Sequence, residues 1–219
     1  MISLGCAKNL VDAEVMIGSL LKEGFEITNE NADADALIIN TCSFIDAAQE
    51  ESVDTILESA EFREHANSVQ ALIVSGCLSQ RYRKELPKLM PEVDAFMGID
   101  QVEQVGDIVR QAVGNRGSRL GQATEKSNGN ETETTAEPPG EPLIDIHSRP
   151  DYIPAFDTPR LRLTPDHFAY VKIAEGCNHP CSFCIIPRMR GSHRSRSQAD
   201  IVQEARQLVA DYDLIAEPA

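Results

Sequence analysis

Residues 71–77 read ALIVSGC, a short apolar run that closes on Gly-Cys and is followed at once by the helix-forming LSQRYRKEL. Continuous apolarity over so few residues reads as a strand buried on both faces, which is the signature of a parallel sheet. Working outward, residues 36–42 (ALIINTC) repeat the arrangement, and residues 1–6 (MISLGC) give a shorter version. Two further strands are expected at 25–28 and at about 94–97. The segments between carry helical spacing. Asn9 to Lys22 sets Leu10, Val11, Val15, Leu20 and Leu21 near one stripe, with Gly24 as a stop. Helices are also expected over Phe44 to about His65, Leu78 to Leu86 and Val102 to Val113. Strands alternating with helices predict an α/β fold: an open, mostly parallel sheet with flanking helices.

After Val113 the pattern breaks. Residues 114–142 (GNRGSRLGQATEKSNGNETETTAEPPGEP) hold too little apolar content to order themselves. We therefore expect an N-terminal domain over 1–113, a linker or insertion over 114–160, and a second region over 161–219. That region begins with an expected strand at 168–174 (FAYVKIA). It continues through a helix over Gln198–Tyr212 capped by Ser197, and a strand is expected to start at 213–216.

The 219 residues are 42% hydrophobic and 25% charged, which suits a packed domain, and 5% aromatic with no Trp, so the core must rest on Val, Ile, Leu and Ala. No apolar run approaches the roughly 20 residues of a membrane span, and the N-terminus has no basic segment followed by an apolar signal core. A cytoplasmic protein without membrane association is expected. The net charge of −15 speaks against wholesale nonspecific binding to nucleic acid, but the charge is uneven. Residues 160–197 carry seven bases against two acids, among them Arg188, Arg190, Arg194 and Arg196. Four arginines in nine residues are either a solvated loop or a contact for an anionic partner.

In a reducing compartment clustered cysteines bind metal or do chemistry more often than they pair. Cys6, Cys42 and Cys77 each lie just past the carboxyl end of an expected strand and before a helix. In open α/β sheets that edge is where ligands bind, so three residues spread over seventy positions converge there. Buried structural thiols are the alternative, and the soft ligands suit either an iron–sulfur cluster or zinc. Cys177, Cys181 and Cys184 form C-x3-C-x2-C, with Gly176, Asn178 and Pro180 letting one loop bring the sulfurs together. That spacing differs from the C-x2-C pairs of zinc sites. Phe183 is expected to pack over a cofactor or in the core, and His179 to be a loop residue. Asn40, Thr41 and Ser75 are candidates to hydrogen-bond the first sulfur set, or are plain strand-end residues. Asp12 and Glu14 are expected to favour the helix dipole.

The C-x3-C-x2-C motif after a strand resembles that of radical S-adenosylmethionine enzymes. SLGCAKNLVDAEVM, NTCSFIDAAQEES and SGCLSQRYRKEL are similar to the three motifs of the N-terminal domain of the methylthiotransferases in that superfamily. GCAKN and FCIIPRMRG resemble the RimO type rather than the MiaB type, which shows GCQMN and FCIVPYTRG. The resemblance covers 1–113 and 161–219. It implies two 4Fe–4S clusters, one on Cys6, Cys42 and Cys77 and one on Cys177, Cys181 and Cys184, the second binding S-adenosyl-L-methionine at its open iron. The second cluster would generate a deoxyadenosyl radical and the first would hold the methylated sulfur. The implied product is a methylthio group on the β-carbon of an aspartate of ribosomal protein S-twelve, with the small ribosomal subunit and a flavodoxin-like electron donor as partners. A monomer is expected. Residues 161–219 would be the first βα units of a partial (β/α) barrel, and on that ground the chain alone is expected to be inactive. Rival readings are a tRNA adenosine methylthiotransferase, a non-enzymatic iron–sulfur carrier and a zinc-binding interaction module.

Overall fold

In the computed structural model, residues 1–65, 70–125 and 141–212 are described. Five parallel strands lie side by side in sequence order: β1 (Ile2–Ser3), β2 (Ala36–Thr41), β3 (Ala71–Gly76), β4 (Ala95–Met97) and β5 (Leu143–Asp145). The central pair is in register over its whole length, Ala36 opposite Ala71 and Thr41 opposite Gly76. Alternation along each strand sorts the side chains into two cores. Ile38, Ala71, Ile73, Ala95 and Met97 face helices α1 (Ala7–Lys22) and α5 (Val105–Glu125). Leu37, Ile39, Leu72, Val74 and Phe96 face α2 (Asp46–His65), α3 (Cys77–Arg81) and α4 (Leu86–Leu89).

The expected mostly parallel sheet with flanking helices is present, with differences of detail. Residues 25–28 form no strand: Phe25 packs on the core, while Glu26 and Thr28 are exposed and lead into a short turn at Asn31–Asp33. The helix expected over 78–86 breaks after Arg81, and α4 restarts with Pro87 in its first turn, a position where the missing N–H costs nothing. The helix expected to stop at Val113 runs on to Glu125. Residues 143–145, expected within a linker, add the fifth strand because the free edge of β4 offers a parallel partner, Phe96 opposite Ile144. Part of the low-complexity stretch, 126–140, lies outside the described residues, as does the strand expected at 213–216.

Residues 141–212 wrap back over α1. Of the strand expected at 168–174 only β6 (Ala174–Glu175) forms, antiparallel to β7 (Arg194–Ser195). Lys172 turns inward to an ion pair and Ile173 outward to solvent, the reverse of a strand with an apolar inner face. The short α6 (Ile186–Met189) and α7 (Gln198–Tyr212) follow, and Ser197 Oγ accepts from Asp200 N at 3.2 Å as the expected cap. No parallel β/α repeat occurs within 161–212.

With the sheet on one side and this wrap on the other, Val11 to Leu20 are all buried. Asp12 and Glu14 are therefore not dipole partners in the first turn of α1, which contains no acid. They are the internal acceptors that receive the wrap. Arg160 donates to Glu14 Oε2 through Nε (2.8 Å) and Nη2 (2.5 Å), and Glu14 Oε1 accepts from Leu163 N at 2.7 Å. Lys172 pairs with Asp12 and, at 3.1 Å, with Glu175.

Candidate metal centre

Cys6, Cys42 and Cys77 stand where strand chemistry puts them, at the carboxyl ends of β1, β2 and β3. Cys6 is the N-cap residue of α1 and exposed, Cys77 opens α3 at 3% exposure, and Cys42 is 5% exposed. Two glycines with left-handed backbone bring these loops together. A Cβ on Gly5 (φ +93°) would lie 2.9 Å from Cys42 Sγ, so the turn before Cys6 rests directly on the second thiol. A Cβ on Gly76 (φ +93°) would lie 2.5 Å from both Asn40 Oδ1 and Thr41 O.

The polar groups proposed to touch these sulfurs do other work. Thr41 Oγ1 donates to Ser75 O and accepts from Leu78 N at 3.3 Å, and Ser75 Oγ donates to Met16 Sδ at 3.7 Å. Asn40 Nδ2 donates to Asn9 O at 2.8 Å. They tie strand ends to helix starts, the plainer of the two expectations. Ser52 on α2 holds Cys42 by its backbone, accepting from its N–H at 3.0 Å and donating to its carbonyl at 2.9 Å.

Two residues that contact a first-set sulfur escaped the sequence reading. Asn9 Oδ1 accepts from the Cys77 thiol at 3.5 Å, while its Nδ2 donates to Thr41 O at 2.6 Å and Leu4 O at 3.0 Å. Arg190, from the other end of the chain, donates to Cys77 Sγ at 3.2 Å. Its position in FCIIPRMRG was a signal, but read there as part of an outward basic run. Burial pushes the Cys77 thiol up to about 11, although the Arg190 guanidinium pulls the other way. Even beside Arg190 the sulfur is a thiol at neutral pH, and a metal would bind by displacing that proton. Three thiols at one sheet edge, with no carboxylate bonded to them among the described residues, fit a thiophilic metal or iron–sulfur group.

Cys177, Cys181 and Cys184 all line one open groove of about 580 Å³, with their sulfurs not all within 4.8 Å of one another. Gly176 (φ +73°) makes the turn: a Cβ there would meet Ser192 O at 2.2 Å. Cys177 N donates to Gly191 O at 3.1 Å and Cys184 N to Cys181 O at 3.2 Å. His179 is a loop residue whose backbone N–H donates to Cys177 Sγ at 3.4 Å. Phe183 is 91% exposed, so it packs in no core.

The arginine run divides. Arg190 (2% exposed) and Arg196 are buried and paired inside the chain, Arg196 with Asp200 and Glu204. Arg194 donates to Tyr152 O at 2.6 Å and Arg190 O at 3.0 Å. Only Arg188 stays exposed, at the border between the cysteine groove and a neighbouring open groove of about 1090 Å³. That larger groove also gathers Arg81, Arg83, Arg149, His193 and Arg194, against Glu85 and Asp151. Burial and neighbouring acids thus consumed half of the expected anion contact, and arginines remote in sequence replaced it.

Comparison with known proteins adds kinship. Residues 1–98 match the family described as "Uncharacterized protein family UPF0004". The chain is 48% identical over 211 residues to the "Ribosomal protein uS12 methylthiotransferase RimO" of Akkermansia muciniphila, an alignment covering 95% of this chain and 42% of that protein. It is 48% identical over 214 residues to the protein of the same name from Opitutus terrae (96% and 41%). It is 43% identical over 221 residues to that of Myxococcus xanthus (99% and 40%). The chain spans about two fifths of the length of these relatives.

Proposed function

We propose, from the premise that this chain belongs to the RimO methylthiotransferase family of its relatives, that it serves methylthiolation of an aspartate β-carbon in ribosomal protein uS12. On this reading Cys6, Cys42 and Cys77 hold one 4Fe–4S cluster, and Cys177, Cys181 and Cys184 hold a second that binds S-adenosyl-L-methionine. Residues 1–113, with β5 added, form the methylthiotransferase N-terminal domain, and 161–219 begin the radical domain. When bound, these groups supply the one-electron chemistry and the sulfur carriage that an unactivated C–H bond demands and side chains cannot provide.

The observation that carries the reading is the placement of two separate three-thiol sets, one at the carboxyl edge of the sheet and one around a single groove. Three ligands leave one iron free for a non-protein group, whereas a pure electron carrier fills all four positions. Around the first set the chain's own residues orient the ligands. Gly5 and Gly76 permit the strand-end turns, Ser52 fixes the Cys42 backbone, and Asn9 and Arg190 fix Cys77. The larger groove, with five arginines and one histidine against two acids, suits an approach by the RNA-rich small ribosomal subunit. A cytoplasmic location and a flavodoxin-like electron donor complete the proposal.

Anaerobic reconstitution followed by iron and sulfide analysis tests it. Two 4Fe–4S clusters are expected, with one lost in Cys77→Ala and the other in Cys181→Ala. Zinc as the sole bound metal would overturn the assignment. Incubating the complete enzyme separately with ribosomes and with tRNA, then locating the methylthio label, decides the substrate.

A further inference from the structure

Arg190 belongs by sequence to the second cysteine loop, six residues after Cys184, yet its guanidinium lies under the first cysteine set. Nη2 donates to Cys77 Sγ at 3.2 Å and to Asn9 Oδ1 at 2.8 Å; Nη1 donates to Glu175 Oε2 at 2.9 Å; and both reach Asp12 Oδ2 at 3.3 Å. Five donor contacts from a side chain 2% exposed over-determine its position. Asp12 and Glu175 are also served by Lys172, and Glu175 by Lys8 at 3.2 Å, so the carboxylates have other cations. The sulfur has no other charged donor among the described residues.

We propose that Arg190 is a positioning residue for the first cluster: it hydrogen-bonds the Cys77 ligand and holds that cluster's reduction potential up. This rests on the two-cluster reading above. A reduced cluster carries one more negative charge than an oxidised one. A cation and an N–H donor on a ligating sulfur stabilise the reduced state more, in a site where water does not screen them. The planar fork matters as well as the charge. One guanidinium spans Cys77, Asn9, Asp12 and Glu175 together, which a single ammonium cannot. The second cysteine loop is thereby tied to the first cluster's ligand, so the two centres are held at a fixed relation by α6 and its C-cap, Arg190.

The test uses reconstituted protein and redox titration followed by electron paramagnetic resonance. A variant lacking Cys177, Cys181 and Cys184 assigns the signal of the first cluster. Arg190→Gln removes the charge and Arg190→Lys keeps it while losing the fork. Arg160→Gln is the structural control, because it breaks the Glu14 latch between α1 and the wrap and touches no cysteine. Both Arg190 variants are expected to move the first midpoint to more negative values, Gln further than Lys, with the second midpoint unmoved and Arg160→Gln unchanged. Iron affinity of the first site is expected to fall about 10- to 100-fold, the usual effect of losing a partner of a metal ligand. An unmoved first midpoint in iron-replete Arg190 variants overturns the proposal, and so does an equal shift in Arg160→Gln. If Arg190 variants bind no iron at the first site, retention by Arg160→Gln supports the proposal and loss there refutes it. Absence of any iron–sulfur signal in the unaltered protein would instead refute the cluster reading.

Discussion

Gly76 combines a left-handed backbone, which L side chains rarely adopt, with a space that no side chain could enter. Its φ of +93° turns β3 into α3 in one step, delivering Cys77 to the sheet edge, and the space a Cβ would fill is occupied by Asn40 Oδ1 and Thr41 O. Gly76→Ala adds the cost of a positive φ to an overlap with backbone, which cannot swing away as a flexible side chain can. Destabilisation of about 1–3 kcal/mol is expected, read as a lower urea midpoint at unchanged slope. Gly24→Ala is the comparison: it shares a positive φ (+85°) but meets nothing within 4 Å, so it should cost less. If the two cost the same, the turn at Cys77 is set by backbone conformation alone and the packing of Asn40 is irrelevant to it.

Among the elements, α1 is the one whose surroundings sequence periodicity could least convey. The stripe of Leu10, Val11, Val15, Leu20 and Leu21 announced a helix with a buried face, although Leu21 itself is exposed, and a stripe describes only one covering layer. The second layer, residues 159–196, arrives from 140 positions away, and its contacts are polar: Glu14 with Arg160, Asp12 with Lys172 and Arg190. Buried ion pairs leave no periodic trace, because each acid looks like any surface residue until its cation is placed. The strands at 36–41 and 71–76 were legible for the opposite reason: their neighbours are their own kind, and apolarity on both faces is local information. The 143–145 strand was invisible because three residues have no period, and the edge of β4 selects them. Gly18 tests the second layer directly. A Cβ there would stand 2.4 Å from Arg160 N and 2.5 Å from Pro159 C, so Gly18→Ala, though favourable to an isolated helix, must push the wrap away. Faster proteolysis or amide exchange across 159–175, with the sheet still protected, is the expected outcome. A stabilised protein with unchanged exchange would mean that the wrap yields at no cost.

On the scale of the whole molecule, a net charge of −15 coexists with a groove lined by Arg81, Arg83, Arg149, Arg188, Arg194 and His193. Arg81 donates to Ser43 O at 2.8 Å and Arg194 to backbone carbonyls, which position their charges without cancelling them. Arg83, Arg149 and Arg188 have no carboxylate partner among the described residues. The cysteine spacing and the Arg188 and Arg194 part of this field were readable from the sequence, but Arg81, Arg83 and Arg149 were not, since they come from α3, the turn after it and the segment after β5. An acidic body repels RNA at long range, so any contact must be short-ranged, local to this groove and sensitive to salt. Replacing Arg83, Arg149 and Arg188 by Ala removes three guanidinium groups and leaves the cysteine loops and the Arg190 contacts in place. If the groove meets the phosphates of the small ribosomal subunit, the variant binds that particle more weakly. The slope of log affinity against log salt should then fall by about one unit for each arginine lost. Co-sedimentation across a salt series measures both quantities. An unchanged slope would move the contact off this groove, even if affinity fell, because lost phosphate contacts must release fewer counterions.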